Sequence, residues 1–346
     1  MINQMMRKIF LLRRSREPVV KTGLGTYADR TEEALSANGI EPAVVTFSLD
    51  KKKGILNAFV NGLIKPFFSV VGSEGTFHAT DELCSFLFPF VRGRKVMTVH
   101  HVIKDNDNSG VFYRSLWNTV TKIGLRYADA VLAVSPQTKT ELMEMFDVPE
   151  ERITVAMSRI NGQFTTRNDP AKRGNVIGCI GELIQRKNVE SALRTFKMLT
   201  EMDGMSDARM KICGKGIEYE RLTELAYELG ISERVEFMRD LSMDQIVDLY
   251  NCLGVLSNPS MHEGFGFSTL EAQRCSVPVV YFKDAHIPKE VMTVAVPSDD
   301  ERQFAENMYK LLTDSDTRTE IIEKGKDYAE KFGNDFSEKL MEVYEV

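Results

Sequence analysis

Two glutamates eight positions apart, Glu263 and Glu271, bracket Gly264, Phe265 and Gly266 in the stretch 259–271 (PSMHEGFGFSTLE). A strand is predicted just before this stretch, and a helix starting near Ser268. Glycines there let the backbone approach a ligand closely, and a helix start offers free N–H groups to an anion. Each carboxylate can accept hydrogen bonds from a pair of hydroxyls. One glutamate before the helix and one inside it can therefore reach different parts of an extended polyol. Lys187 stands beside a second predicted helix start at Asn188, with Arg186 next to it. A cation there suits phosphate. In the first half, Gly23 and Gly25 precede a predicted helix over 27–38, and His100 and His101 close the predicted strand 96–100. A histidine at a strand's carboxyl edge can donate a hydrogen bond to a ligand hydroxyl. His262 and His286 are read as bystanders. Asp105, Asn106 and Asp107 could hold a divalent cation against a diphosphate, but the run KDNDNSG reads more simply as a charged loop.

These residues need a scaffold, and the chain alternates short β-branched runs with segments of helical period, the mark of parallel α/β architecture. Strands are expected at 8–12, 43–47, 76–78, 96–100 and 130–134, then at 176–181, 210–214, 235–238, 255–258 and 277–282. Several are continuous apolar runs, as strands covered on both faces should be. Val189, Ala192, Leu193 and Phe196 fall on one helical face, as do Leu222, Leu225, Ala226 and Leu229. Ser242 with Gln245, and Ser298 with Glu301, have capping-box spacing. Ser135 and Pro136 read as an N-cap followed by proline at the first helical position. The polar run 162–174 between the two strand series is the expected linker, giving domains 1–165 and 172–330 and a final segment 331–346.

A chain of 346 residues, 43% hydrophobic and 27% charged, is of ordinary globular composition and long enough for two domains. No apolar run reaches the ~18 residues of a membrane span. The apolar stretch 9–12 is too short for a secretory signal, and no acceptor sequon for N-glycosylation occurs. Five dispersed cysteines in apolar surroundings favour reduced thiols over disulfides or a metal site, and so a cytoplasmic setting. Residues 1–165 carry 21 basic against 17 acidic residues, and the remainder 23 against 33. That asymmetry suggests different partners for the two halves and has no nucleic-acid density. Gly23, Gly25 and Ala28 fit a weak dinucleotide fingerprint, but about ten residues separate them from the first strand, which argues against nicotinamide or flavin.

The stretch 259–271 resembles the E-x7-E motif of family-4 glycosyltransferases, and 272–280 (AQRCSVPVV) is similar to that family's AMACGxPVV, with Ser276 where glycine is usual. The resemblance implies a GT-B fold: two Rossmann-like domains with parallel sheets facing a central cleft. It implies retaining transfer of a hexosyl group from a nucleoside-diphosphate sugar to a hydroxyl, without a metal or other cofactor. Glu263 would contact the donor sugar, the amides of Gly264, Phe265 and Gly266 would face sugar and phosphate, and Glu271 would hold the ribose. The segment 180–196 is similar to the family's first strand–loop–helix of the second domain, which assigns Lys187 to the diphosphate. Where the family places an arginine after the strand glycine this chain has Glu182, and Arg186 is the candidate substitute. Gly23 and Gly25 resemble the family's glycine loop, with Thr22 in place of its first glycine. His100 matches the histidine of its TxHD motif, which faces the reacting sugar, and His101 replaces the aspartate. Attack from the front face would need no enzymic nucleophile, the nucleobase would lie near 239–241, and a helix over 336–346 would return to the first domain.

The acceptor is expected to be a glycan, a lipid-linked molecule or a small molecule. In 51–68 (KKKGILNAFVNGLIKPFF), Leu56, Phe59, Val60, Leu63 and Phe67 lie near one helical face beside lysines. With the aromatic and basic run 85–95, this suggests peripheral contact with an anionic membrane on its inner face. Two other possibilities stay open: a non-catalytic sugar-nucleotide-binding subunit, favoured by Glu182 and Thr22, and a sugar-phosphate synthase. The phosphorylases of the same fold lack support, since no lysine here has the context of a pyridoxal anchor.

Overall fold

A computed structural model describes residues 8–14, 23–47, 60–102 and 111–345. Thr22, Lys51 to Lys53 with the adjoining 54–59, and Asp105 to Asp107 lie outside these residues. The chain divides into two compact units: among the described residues, one holds those up to Arg159 together with those from Gly333 onward, the other Ile160–Phe332. The stretch 162–174 thus belongs to the second unit. It is packed there: Phe164 is buried against Tyr250, and the Arg173 guanidinium donates to the carbonyls of Cys275 and Ser276.

The first unit runs β1 (Ile9–Arg14), α1 (Gly23–Ala37), β2 (Ala43–Phe47), a π-turn (Val60–Ile64) leading into α2 (Lys65–Val70), and β3 (Thr76–Ala79). A 3-10 stretch (Glu82–Phe90), β4 (Lys95–Val99), α3 (Val111–Tyr127), β5 (Ala130–Ala133), α4 (Pro136–Phe146) and β6 (Ile153–Val155) follow. Its sheet has the order β2-β1-β3-β4-β5-β6, with every pairing parallel. The second unit runs β7 (Val176–Ile180), α5 (Val189–Thr200), β8 (Arg209–Cys213), α6 (Tyr219–Glu228), β9 (Val235–Met238) and α7 (Met243–Cys252). It continues through β10 (Val255–Asn258), α8 (Phe267–Arg274), β11 (Val279–Phe282), β12 (Val296–Ser298), α9 (Glu301–Thr313) and α10 (Ser315–Lys331). Its parallel sheet is ordered β12-β11-β10-β7-β8-β9. The last helix, α11 (Phe336–Tyr344), packs in the first unit.

Sequence and structure diverge at small elements. β6 and β12 are three residues each, too short for a strand period to show, and β12 carries Pro297. Ser242 and Gln245 form both bonds of the expected capping box. The box expected at Ser298 does not form; α9 is capped two residues later by Asp300, whose side chain accepts from the Gln303 N–H. Ser135 caps α4 as its spacing predicts. Helix α1 starts at Gly23 rather than Tyr27, so Gly23 and Gly25 lie in its first turn and not in a loop before it. All five cysteines are free, and burial pushes the Cys179 thiol up to about 12. No described helix is long and apolar enough to cross a membrane.

Helix α11 is held by a polar bond in the interior of the first unit. His78 on β3 is fully buried, with Nδ1 2.5 Å from the Tyr344 hydroxyl and Nε2 2.7 Å from Thr98 Oγ1. Burial, with a smaller effect of His100, lowers the His78 pKa to about 3, so the ring is neutral across the working range. Phe336 packs edge-on against Tyr27, and Arg94 donates to the Val343 carbonyl and the Glu345 carboxylate. Replacing Tyr344 by Phe keeps the ring and leaves a buried imidazole nitrogen unpaired, at a cost of about 1–3 kcal/mol. Urea denaturation of Tyr344→Phe should show that loss, and an unchanged midpoint would contradict the role given to this bond.

Candidate active site

β10 ends at Asn258, and the chain turns through Pro259, Ser260 and Met261 to Glu263 before α8 begins. The turn is pinned from two sides. The Met261 N–H donates to the Arg186 carbonyl (3.0 Å), and Asn188 Nδ2 donates to the Pro259 carbonyl (3.3 Å). On the other side, the Glu263 N–H donates to the His286 carbonyl and the His286 N–H to that of Met261. His262 and His286, read from sequence as bystanders, form an isolated parallel bridge there with stacked, tilted rings. Their backbones thereby hold Glu263 in place.

The Glu263 side chain is 8% exposed, a costly place for a charge unless it is paired. Lys187 Nζ donates to its Oε1, and Arg186 Nη1 lies 3.4 Å from its Oε2. Burial raises the carboxyl's pKa, but Lys187, Arg186 and the Ser260 hydroxyl together outweigh it and hold the group below its ordinary value. Glu263 is therefore ionised. Arg186 also donates to the His262 carbonyl (3.1 Å) and reaches Glu182 at 3.5 Å. Sequence reasoning paired the two cations with a ligand; the fold pairs them with carboxylates of the chain.

Lys187 reaches Glu263 because β7 and β10 are neighbours in the sheet and both deliver their loops to the carboxyl edge. Gln185 to Lys187 form a single 3-10 turn, and Asn188, in the left-handed conformation at φ 50°, redirects the chain into α5. Gly181, Glu182, Lys187, Ser257, Ser260, Glu263 and Ser268 line an open pocket at this edge. Open α/β sheets bind ligands at that edge.

Gly266 caps α8 in the left-handed region at φ 97°, a conformation open to glycine without strain. Asn258 Nδ2 donates to Thr269 Oγ1 (3.0 Å), tying the end of β10 to the first turn of α8. Phe265 turns inward, buried against Phe267 and Phe332. Only its peptide groups are thus left to meet a polar ligand. Glu271 is half-buried and accepts from the Tyr250 hydroxyl at 2.8 Å. Burial and the Glu271 charge keep the Tyr250 phenol protonated, well above its ordinary pKa. Ser276, after α8, has φ 57°, which explains why a glycine suits this position. Its hydroxyl bonds to Thr166 Oγ1 at 2.6 Å.

In the first unit His100 follows β4 and is 6% exposed. Its Nε2 lies 2.8 Å from the Thr80 carbonyl, so that nitrogen carries the proton and Nδ1 is left as an acceptor. The donor role expected from sequence is thereby taken by a backbone partner. Burial lowers the His100 pKa to about 4 despite the Thr80 bond and the Asp81 charge. A residue that sequence reasoning passed over sets this corner. Glu82, fully buried, accepts from the His100 N–H (2.6 Å) and the His101 N–H (3.3 Å) through Oε1, while its Oε2 has no partner among the described residues. Its partners are backbone groups of another strand end, which leave no trace in a sequence pattern.

Burial, then Asp81, raise the Glu82 pKa to about 7 against the backbone bonds that lower it. A raised carboxyl binds its proton more tightly in the folded state, so its contribution to stability is present below pH 4.5 and is lost as pH rises toward 7. The loss amounts to about 3 kcal/mol. His78 and His100, lowered, act with the opposite sign. The difference in unfolding free energy between wild type and Glu82→Gln isolates the carboxyl. It should change by about that amount between pH 4.5 and 7.5, and a difference independent of pH would refute the assignment.

Comparison with known proteins places these features in a family. Residues 163–328 match the model for glycosyl transferases group 1, and residues 76–156 that for glycosyltransferase family 4. A D-inositol 3-phosphate glycosyltransferase of Corynebacterium jeikeium is 30% identical over 240 residues, covering 63% of this chain and 57% of the relative. The chain thus spans little more than half the length of such curated relatives. Among solved structures, a sucrose-phosphate synthase of Thermosynechococcus elongatus superposes with a TM-score of 0.77 at 17% identity, covering 98% of both chains. Anabaena HepE in complex with UDP and glucose gives 0.75 at 16% identity, covering 97% of this chain and 98% of that one. These likenesses establish the GT-B type of fold, two α/β units each built on a six-stranded parallel sheet.

Proposed function

For a chain that belongs to the group 1, family 4 glycosyltransferases, we propose transfer of a hexosyl group from a nucleoside-diphosphate sugar to a hydroxyl, with retention of configuration. The observation that carries this is that Lys187 and the buried carboxylate of Glu263 line one pocket at the carboxyl edge of β7 and β10, with Arg186 paired to the same carboxylate. The two cations neutralise the diphosphate and stabilise it as it departs. The carboxylate of Glu263 takes hydroxyls of the donor sugar, the amides of Gly264, Phe265 and Gly266 meet sugar and phosphate, and Glu271 takes the ribose. Gly23 and Gly25, with the amides of the first turn of α1, are assigned to donor phosphate. Nδ1 of His100 is assigned to accept from a hydroxyl of the transferred sugar.

The relative's name gives an inositol phosphate as its substrate, and the neighbour's complex holds UDP and glucose. Both support a nucleotide-sugar donor and a carbohydrate acceptor. With lysine and arginine on the diphosphate, the reaction proposed requires no metal, and chelation of divalent cations should leave it unchanged. Peripheral membrane contact is proposed on the strength of Phe68 and Phe90, exposed beside Lys65 and Arg92 in the first unit.

One observation favours a second reading, a sugar-nucleotide-binding subunit without turnover. Glu182 lines the pocket and is paired with Arg186, so the local charges balance instead of favouring an anion. A thermal-shift panel of UDP-, GDP- and ADP-sugars identifies the donor, since a ligand bound only by the folded state stabilises it. Donor hydrolysis and transfer are then compared for wild type, Lys187→Ala and Glu263→Ala. A loss of about 100-fold or more in both variants is expected for groups that meet developing charge. A wild type no faster than the variants would leave the binding-subunit reading in its place.

A further inference from the structure

Arg14, the last residue of β1, has no part in the roles assigned so far. Its side chain is 40% exposed, whereas Arg13 beside it is 3% exposed and bonded to Asp29 and Glu32, as alternation along a strand requires. Two contacts fix Arg14. Its Nε donates to Asp81 Oδ2 at 3.2 Å, and its guanidinium carbon lies 5.7 Å from the centre of the Trp117 ring. Neither Nη has a partner among the described residues. A guanidinium so held has lost most of its conformational freedom before any ligand arrives.

The nearby carboxylates are occupied by other donors. Asp81 Oδ1 accepts from the N–H groups of Leu83 (3.0 Å) and Cys84 (3.3 Å), and its Oδ2 takes the Cys84 thiol as well as Arg14. Glu82 is bound to the His100 and His101 amides through Oε1 alone, and its Oε2 has no partner among the described residues. The opposing charge is thus spread over backbone amides, while the two Nη groups remain as donors. They lie at the sheet edge to which β3 delivers Asp81 and β4 delivers His101, whose ring is tilted against Trp117 with centroids 5.5 Å apart. A planar fork of parallel donors matches two oxygens of a phosphate or carboxylate and is poorly used on a neutral hydroxyl.

We propose that Arg14 forms an oxyanion subsite of the first unit and that the group it holds is a phosphate or carboxylate carried by the acceptor. The acceptor assignment rests on the transfer activity proposed above; the anion site itself does not. Trp117 is the single tryptophan of the chain, so its fluorescence reports on this subsite alone. Wild type, Arg14→Gln and Arg14→Lys are titrated with inorganic phosphate and with acetate at ionic strength held constant by chloride. Wild type should give a saturable change with one of the two anions. Arg14→Gln should bind it about 10- to 100-fold more weakly, with Arg14→Lys between, because lysine keeps the charge and loses the fork. Stronger binding of phosphate assigns a phosphorylated acceptor, and stronger binding of acetate a carboxylated one. Lys187→Met should titrate as wild type, which separates this subsite from the donor pocket. The absence of a saturable change in wild type would overturn the proposal, as would Arg14→Gln or, if that variant does not fold, Arg14→Lys titrating like wild type. Absence of glycosyl transfer with the Trp117 titration intact would count against the transfer activity and leave the subsite standing.

Discussion

A carboxylate that is 8% exposed has to be paired, and at Glu263 the partners are the cations that a donor diphosphate would require. That constraint organises the second unit. The turn after β10 must deliver Glu263 next to the 3-10 turn after β7, and a backbone bond from Met261 with a side-chain bond from Asn188 holds the two turns in register. Removing one partner of a buried pair costs about 3–5 kcal/mol, because the other charge is left behind. Glu263 is thus a structural anchor, and on the proposed reading it is a ligand group as well. A diphosphate bound there would compete with Glu263 for Lys187, and a sugar hydroxyl would replace the lysine on the carboxylate. Donor binding would then amount to an exchange of partners.

Much of this was legible in the sequence. Short β-branched and apolar runs gave ten of the strands to within a residue or two, most plainly where the strand is buried on both faces and leaves little room for polar residues. The motif 259–271 marked a candidate site by residue type and spacing, and the family resemblance added Lys187 to it. Other features had no such signal. The pairing of Arg186 with Glu182 and Glu263 depends on side-chain geometry across two loops. The grip of Glu82 on the His100 and His101 amides and the bond between His78 and Tyr344 join residues remote in the chain. Ser276 was visible as a departure from the family pattern, but its left-handed backbone supplies the reason.

The first unit applies the same physics to different ends. Its polar interior is neutral where it is bonded on both sides, as at His78, and unsatisfied where one oxygen of Glu82 has no partner among the described residues. His100 is fixed through Nε2 and through its own peptide N–H, so little conformational freedom remains to be lost when a ligand binds. Rigid placement of this kind is what a catalyst that works by positioning and charge, without a covalent intermediate, has to supply.

The exchange of partners at Lys187 can be measured directly. Calorimetry of the nucleoside diphosphate of the preferred donor, lacking its sugar, compares wild type with Glu263→Gln. If Lys187 is shared between the carboxylate and the diphosphate, removing the carboxylate charge frees the lysine, and the variant binds the diphosphate several-fold more tightly. Equal or weaker binding would mean that Lys187 does not serve the diphosphate, and the proposed donor site would have to be abandoned.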